Sequence, residues 1–131
     1  MGLASYGHKW KLKDPNVNGI GAPALGVGPG EEDGFNGIVG FNKVNNATVK
    51  YDRTTVSYYS YAGAGAGDSW IGYGSVKSIK WKVWFARVKG LAGYFFWAVS
   101  YDKNWALPRQ GDQSVTHYLT STKFMVFILI I

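Results

Sequence analysis

Residues 93–100 read Gly-Tyr-Phe-Phe-Trp-Ala-Val-Ser, an apolar run without a single charge. A strand with one solvated face would alternate with polar residues, whereas a strand buried on both faces of a parallel sheet does not. The run therefore predicts such a strand, and a parallel strand needs a crossover helix. That helix stands just upstream. Val76, Ile79, Val83 and Ala86 recur at three- and four-residue spacing, Ser75 can cap the start, and Gly90 can end it. Helix, turn and buried strand together form part of an α/β unit.

The remaining segments are read by their punctuation. Residues 1–10 predict a short buried strand that opens into a loop. Residues 13–40 are rich in Gly and hold Pro15, Pro23 and Pro29, a composition of loops and turns. Residues 38–41 are expected to begin a short helix. Residues 48–61 are β-branched and aromatic, and predict two antiparallel strands turning near Asp52 and Arg53. Residues 62–67 are small and predict a hairpin tip or linker.

Composition excludes several classes. With 131 residues the chain is one domain or part of a larger one, and a closed (β/α)8 barrel needs about 200 or more. It holds no Cys, so disulfides and thiol chemistry are excluded. His8 and His117 are too far apart in sequence for a metal-ligand motif, and no metal or cofactor site is expected. The net charge of +6 permits anionic partners without demanding them. Lys77, Lys80, Lys82, Arg87 and Lys89 are spread around the helix axis and read as a solvated face, so no nucleic-acid partner is expected. The glycines of residues 26–30 lack the strand-to-helix context of a phosphate loop. The N-terminal residues do not read as a signal peptide. Residues 124–131 are apolar but far short of the roughly 20 residues of a membrane span.

Several motifs, in order and at matching spacing, resemble the glycoside hydrolases of family 18, in particular plant class V chitinases. Residues 1–8 resemble the seventh barrel strand, which in that family ends Tyr-Gly-Arg. Residues 20–24 resemble the start of the α+β insertion, and residues 56–62 and 70–73 its closing strands. Residues 76–80 resemble the seventh helix, residues 90–100 the turn and eighth strand, and residues 105–107 the start of the last helix. The match covers residues 1–110. The resemblance implies a C-terminal piece of an α/β fold: the last two strands and flanking helices of a partial (β/α)8 barrel, with an α+β insertion domain. The implied boundaries are 1–10 for strand seven, 11–72 for the insertion, 73–111 for helix seven, strand eight and the start of helix eight, and 112–131 for a divergent apolar tail.

What the resemblance implies for function is chemistry on chitin or N-acetylglucosamine oligosaccharides. In that family the substrate's own N-acetyl group attacks, and one Glu in an Asp-x-Asp-x-Glu run serves as acid and base. This chain has no such run; its Glu residues are Glu31 and Glu32, in a Gly-rich stretch. No catalytic residue is therefore expected, and binding is expected to be weak because most walls of a cleft are missing. Trp97 is implied as the indole floor of a sugar subsite, and Tyr6 as a hydrogen-bonding partner of substrate. His8 replaces the Arg that follows, and an imidazole cannot supply the forked, permanent charge of a guanidinium. It reads as a loop histidine. Trp70 and Tyr73 read as insertion core, and Gly74 and Ser75 stand where the family often has two Asp.

Asn46 opens an Asn-Ala-Thr glycosylation sequon, and the resemblance implies an extracellular or vacuolar location. Two rivals to a catalytically incompetent fragment remain open: a noncatalytic chitin-oligosaccharide-binding module, and a half-barrel that associates with another chain. The apolar tail is expected to pack on exposed barrel strands or to drive self-association.

Overall fold

The computed structural model describes residues 1–29, 36–44, 48–62, 69–116 and 125–128. Two sheets share the chain. The first is parallel, with strand order β1 (Gly2–Ala4), β8 (Gly93–Trp97), β9 (Met125–Ile128). Gly2 and Ala4 stand opposite Phe95 and Trp97, and Gly93 and Phe96 opposite Met125 and Ile128. The second sheet is antiparallel. β2 (Tyr6–Leu12) is its centre, flanked by β3 (Ala24–Val27) and β4 (Ile38–Gly40) on one side. On the other lie β7 (Ser69–Tyr73), β6 (Ser57–Tyr61) and β5 (Thr48–Asp52).

The predicted helix is α1 (Val76–Val88). Ser75 and Ser78 form a reciprocal capping box, the Ser75 N–H donating to Ser78 Oγ at 2.8 Å. At the other end Leu91 N–H donates to Ala86 O and Gly90 N–H to Arg87 O. Gly90 takes φ 66°, which completes a Schellman stop at little steric cost. α2 (Ala106–Thr116) packs beside it and runs through residue 112. Leu3, Ile79, Val83, Tyr94, Phe96 and Leu107 form the core between helices and parallel sheet.

Several expectations need correction. The run at 93–100 is not covered on both faces. Tyr94 and Phe96 are 1% and 0% exposed, while Phe95 and Trp97 are 39% and 45% exposed. Alternation sends the first pair toward the helices and the second to the opposite face. Residues 6–12 are strand rather than loop, so His8 is a strand residue, paired with Ile38 and Gly72. The Gly-rich stretch contributes β3 and β4, because β2 offers both its edges to pairing. Residues 38–40 are strand, and only Phe41–Lys43 coil, as a 3-10 turn. The hairpin at 48–61, by contrast, turns as expected directly after Asp52, whose Oδ1 accepts from Thr55 N–H at 2.7 Å and Thr55 Oγ1 at 2.9 Å. Those bonds hold its carboxyl below the usual range. The tail likewise packs as expected on an exposed strand, residues 125–128 pairing along the edge of β8. No helix among the described residues is long and apolar enough to cross a membrane.

Candidate functional site

Parallel pairing puts the C-terminal ends of β1 and β8 side by side, since Ala4 stands opposite Trp97. Ser5 N–H then donates to Trp97 O at 2.9 Å, and Phe41 N–H donates to Ser5 O at 2.9 Å. Ser5 is thus the junction where the parallel sheet ends and the antiparallel sheet begins. Tyr6 follows it and Trp97 lies across it, so both predicted residues gather at one end of the fold. Trp97 precedes Ala98 through a cis peptide bond.

The Trp97 indole is nearly half exposed. Tyr6 is half-buried; its ring meets His8 edge-on at 5.5 Å and Tyr101 edge-on at 6.2 Å. Tyr101 closes the 3-10 turn Val99–Tyr101, just after Trp97. That turn is tied to the one at 41–43 by Asn42 Nδ2, which donates to Ser100 O at 3.4 Å. Tyr101 and Asn42 are members of this site that the sequence reading missed. The available signal was Tyr101 standing four residues after Trp97 at a strand end.

From this junction a row of rings continues along the second sheet. Tyr6, His8 and Trp10 alternate onto one face of β2. Trp10 pairs with Trp70, and His8 with Gly72. The Trp70 ring folds over Gly72, where an added Cβ would meet Cη2 and Cζ3 at 2.8 Å. Trp70 also stacks on Tyr59, with centroids 5.5 Å apart and planes 21° apart. Trp70 is half-buried on this ring-bearing face rather than fully enclosed. Tyr73 lies on the other face, 6.0 Å from Tyr58; burial chiefly, and Tyr58 secondarily, push its phenol above the ordinary value.

The chemistry on offer is apolar ring faces and hydroxyls at a strand end. Among the described residues no paired carboxylates accompany them. Asp102, five residues after Trp97, is engaged in accepting Leu107 N–H at 3.2 Å at the start of α2. Among the described residues no group of three His, Cys, Asp or Glu could hold a metal. Glu31, Glu32 and Asn46 lie outside the described residues.

Known proteins agree on the kinship. The family model of glycosyl hydrolases family 18 matches residues 1–102. A class V chitinase of Medicago truncatula, CHIT5a, is 50% identical over 120 residues, covering 89% of this chain and 30% of that protein. Nod factor hydrolase protein 1 of the same plant is 50% identical over 104 residues, covering 78% and 26%. A family 18 chitinase mutant from Cycas revoluta, solved in complex with (GlcNAc)4, superposes with TM-score 0.77 at 36% identity, covering 87% of this chain and 32% of that one. The class V chitinase of Nicotiana tobaccum gives 0.76 at 34% identity, covering 86% and 33%. The chain thus spans about 30% of the length of its curated relatives. With the family model matched over most of its length, the chain belongs to glycosyl hydrolases family 18, as a chitinase-like member that corresponds to one part of the plant class V enzymes.

Proposed function

We propose that this chain is a carbohydrate-contacting part of a family 18 barrel, able to hold an N-acetylglucosamine oligosaccharide weakly and unable by itself to hydrolyse one. The observation that carries it is the exposed Trp97 indole at the C-terminal end of β8, in register with the strand that leads to Tyr6. Strand ends on that side are where barrel enzymes place their ligands. Trp97 supplies a ring face, Tyr6 and Tyr101 supply hydroxyls, and the family's Asp-x-Asp-x-Glu acid is not in this sequence. In this reading β1 and β8 are barrel strands seven and eight. Residues 11–72 are the insertion, whose sheet takes in residues 6–10 through β2; residues 73–111 carry helix seven to the start of helix eight, and the divergent tail, 112–131, opens on the last turn of α2. The protein works outside the cell or in the vacuole, where Asn46 is a glycosylation acceptor.

The test is a calorimetric titration with the N-acetylglucosamine tetramer, run beside a hydrolysis assay. Weak saturable binding that vanishes in Trp97→Ala, with no product formed, is expected. Turnover that survives removal of contaminating chitinase refutes catalytic incompetence, and binding indifferent to Trp97→Ala refutes the site.

One observation favours a second reading, the half-barrel. Phe95 and Trp97 present an apolar face, and the outer edge of β1 has no strand beside it among the described residues. Unpaired edges are templates for further strands. A barrel half carrying Asp-x-Asp-x-Glu that restores hydrolysis when mixed with this chain would establish it. β9 would have to leave β8 for such a barrel to close through that edge.

A further inference from the structure

The outward side of α1 is aromatic, and the function proposed above makes no use of it. Ile79, Val83 and Ala86 are buried toward the core, whereas Trp81 and Trp84 are 47% and 50% exposed on the opposite side of the helix. Their rings meet edge to face at 5.9 Å. Phe85 and Val88 extend the patch. In a (β/α)8 architecture the helices form an outer ring, so neighbouring helices flank α1 and its outward face stays in solvent. Completing a barrel would not cover these two Trp. A contiguous exposed apolar patch of this kind marks a binding surface.

Two grooves run along the Trp pair. One, of about 1150 Å³, lies between α1 and α2 and is lined by Lys80, Trp84 and Val88 with Gln110, Gln113 and Ser114. The other lies between α1 and the β5–β6 turn and is lined by Tyr51, Arg53, Lys77 and Phe85 beside the same two Trp. Lys77 Nζ stands 4.1 Å above the Tyr51 ring. Among the described residues neither lining includes an Asp or Glu, and α1 itself carries none. Cations therefore border the rings on both sides.

From this arrangement we propose that the outer face of α1 binds an anionic polysaccharide of the uronic-acid class, with pyranose rings stacked on Trp81 and Trp84 and carboxylates met by Lys77, Lys80 and Arg53. Charge complementarity selects the acidic polymer, because the linings carry Lys77, Lys80 and Arg53 and, among the described residues, no acidic side chain. The repeat of ring and carboxylate matches rings bordered by cations. An acidic peptide is less well matched, because the Trp pair forms a ridge between grooves rather than a slot for an apolar anchor. The surface lies on the far side of α1 from β8, so it is separate from Trp97.

The experiment is calorimetric titration of the full chain with an oligogalacturonate at two salt concentrations. Saturable binding that weakens with salt is expected. A Trp81→Ala, Trp84→Ala double variant should lose about tenfold in affinity, Lys77→Gln should reduce the salt dependence, and Trp97→Ala should change nothing. These side chains are exposed, so the variants should keep the far-UV circular dichroism of the parent. Three results would each overturn the proposal: binding unaffected by the double Trp variant, equal affinity for the neutral N-acetylglucosamine tetramer, or equal or tighter affinity for a poly-glutamate peptide. No binding at low salt would overturn it as well. Because Trp97→Ala separates the two surfaces, failure here leaves the Trp97 reading standing, and the reverse also holds.

Discussion

Gly7 sits between Tyr6 and His8, and its replacement by alanine tests how tightly the site is built into the second sheet. Gly7 pairs with Val39 of β4 on one side and Tyr73 of β7 on the other. An added Cβ would lie 2.8 Å from the Gly72 carbonyl oxygen, 2.9 Å from Tyr73 Cβ and 3.0 Å from Ile71 Cγ2. All three are shorter than ordinary van der Waals contact. The first two atoms are fixed by the backbone of β7 and cannot rotate away. Overpacking of this kind costs about 1–3 kcal/mol, and the triple contact argues for the upper end. The reduced freedom of the unfolded chain returns about 0.4–1 kcal/mol. The net loss is about 2 kcal/mol, which at roughly 4 °C per kcal/mol lowers the melting temperature by about 8 °C. Thermal unfolding followed by circular dichroism measures it, with Gly19→Ala as control. A Cβ at Gly19 meets nothing within 4 Å, so that variant should stay within about 0.5 kcal/mol of the parent. If Gly7→Ala melts with the control, the packing between β2 and β7 is not as close as the reasoning requires.

Three further outcomes follow from particular residues. Val56 holds φ 52°, a left-handed conformation that is costly for a β-branched residue, so Val56→Gly should stabilise the chain by about 1 kcal/mol; an unchanged or lower melting temperature contradicts this. Burial chiefly, with the nearby Asp112 charge, pushes the Tyr94 phenol up to about 12 from its ordinary value near 10. The folded state therefore holds that proton more tightly than the unfolded one. Its contribution is complete below about pH 10 and disappears as the pH rises toward 12, and Tyr94→Phe should flatten the stability–pH curve in that window. Deleting residues 124–131 removes β9 and uncovers the edge of β8, so the truncated chain should melt earlier and aggregate more readily in light scattering; equal stability with better solubility would show that the pairing of Met125–Ile128 holds nothing.

Much of the local structure was legible from residue type. The 76–88 helix follows from apolar spacing, and its ends from Ser75 and Gly90, because caps act within one turn of chain. The 48–61 hairpin follows from β-branched and aromatic residues around Asp52. Trp97 and Tyr6 were reached through motif resemblance, not through periodicity. The strand nature of His8 and residues 24–27 and 38–40 was not legible. Gly and Pro signal breaks, whereas pairing with β2 is a long-range choice that local propensity does not encode.

By itself, then, the sequence determined a parallel strand at 93–97, the helix that precedes it, the kinship with family 18, and the lack of an Asp-x-Asp-x-Glu acid in this chain. Only the tertiary structure decided which faces of those elements are covered. An apolar run has the same pattern whether one face or two are buried, so Phe95 and Trp97 could be told from Tyr94 and Phe96 only once the helices were placed on one side. The same holds for α1. Its Trp81 and Trp84 sit among lysines in the sequence, and only the packing of Ile79, Val83 and Ala86 against the core turns those two rings outward. It holds too for the tail, whose apolar residues can form a strand in many places, and which the free edge of β8 takes up as its neighbour.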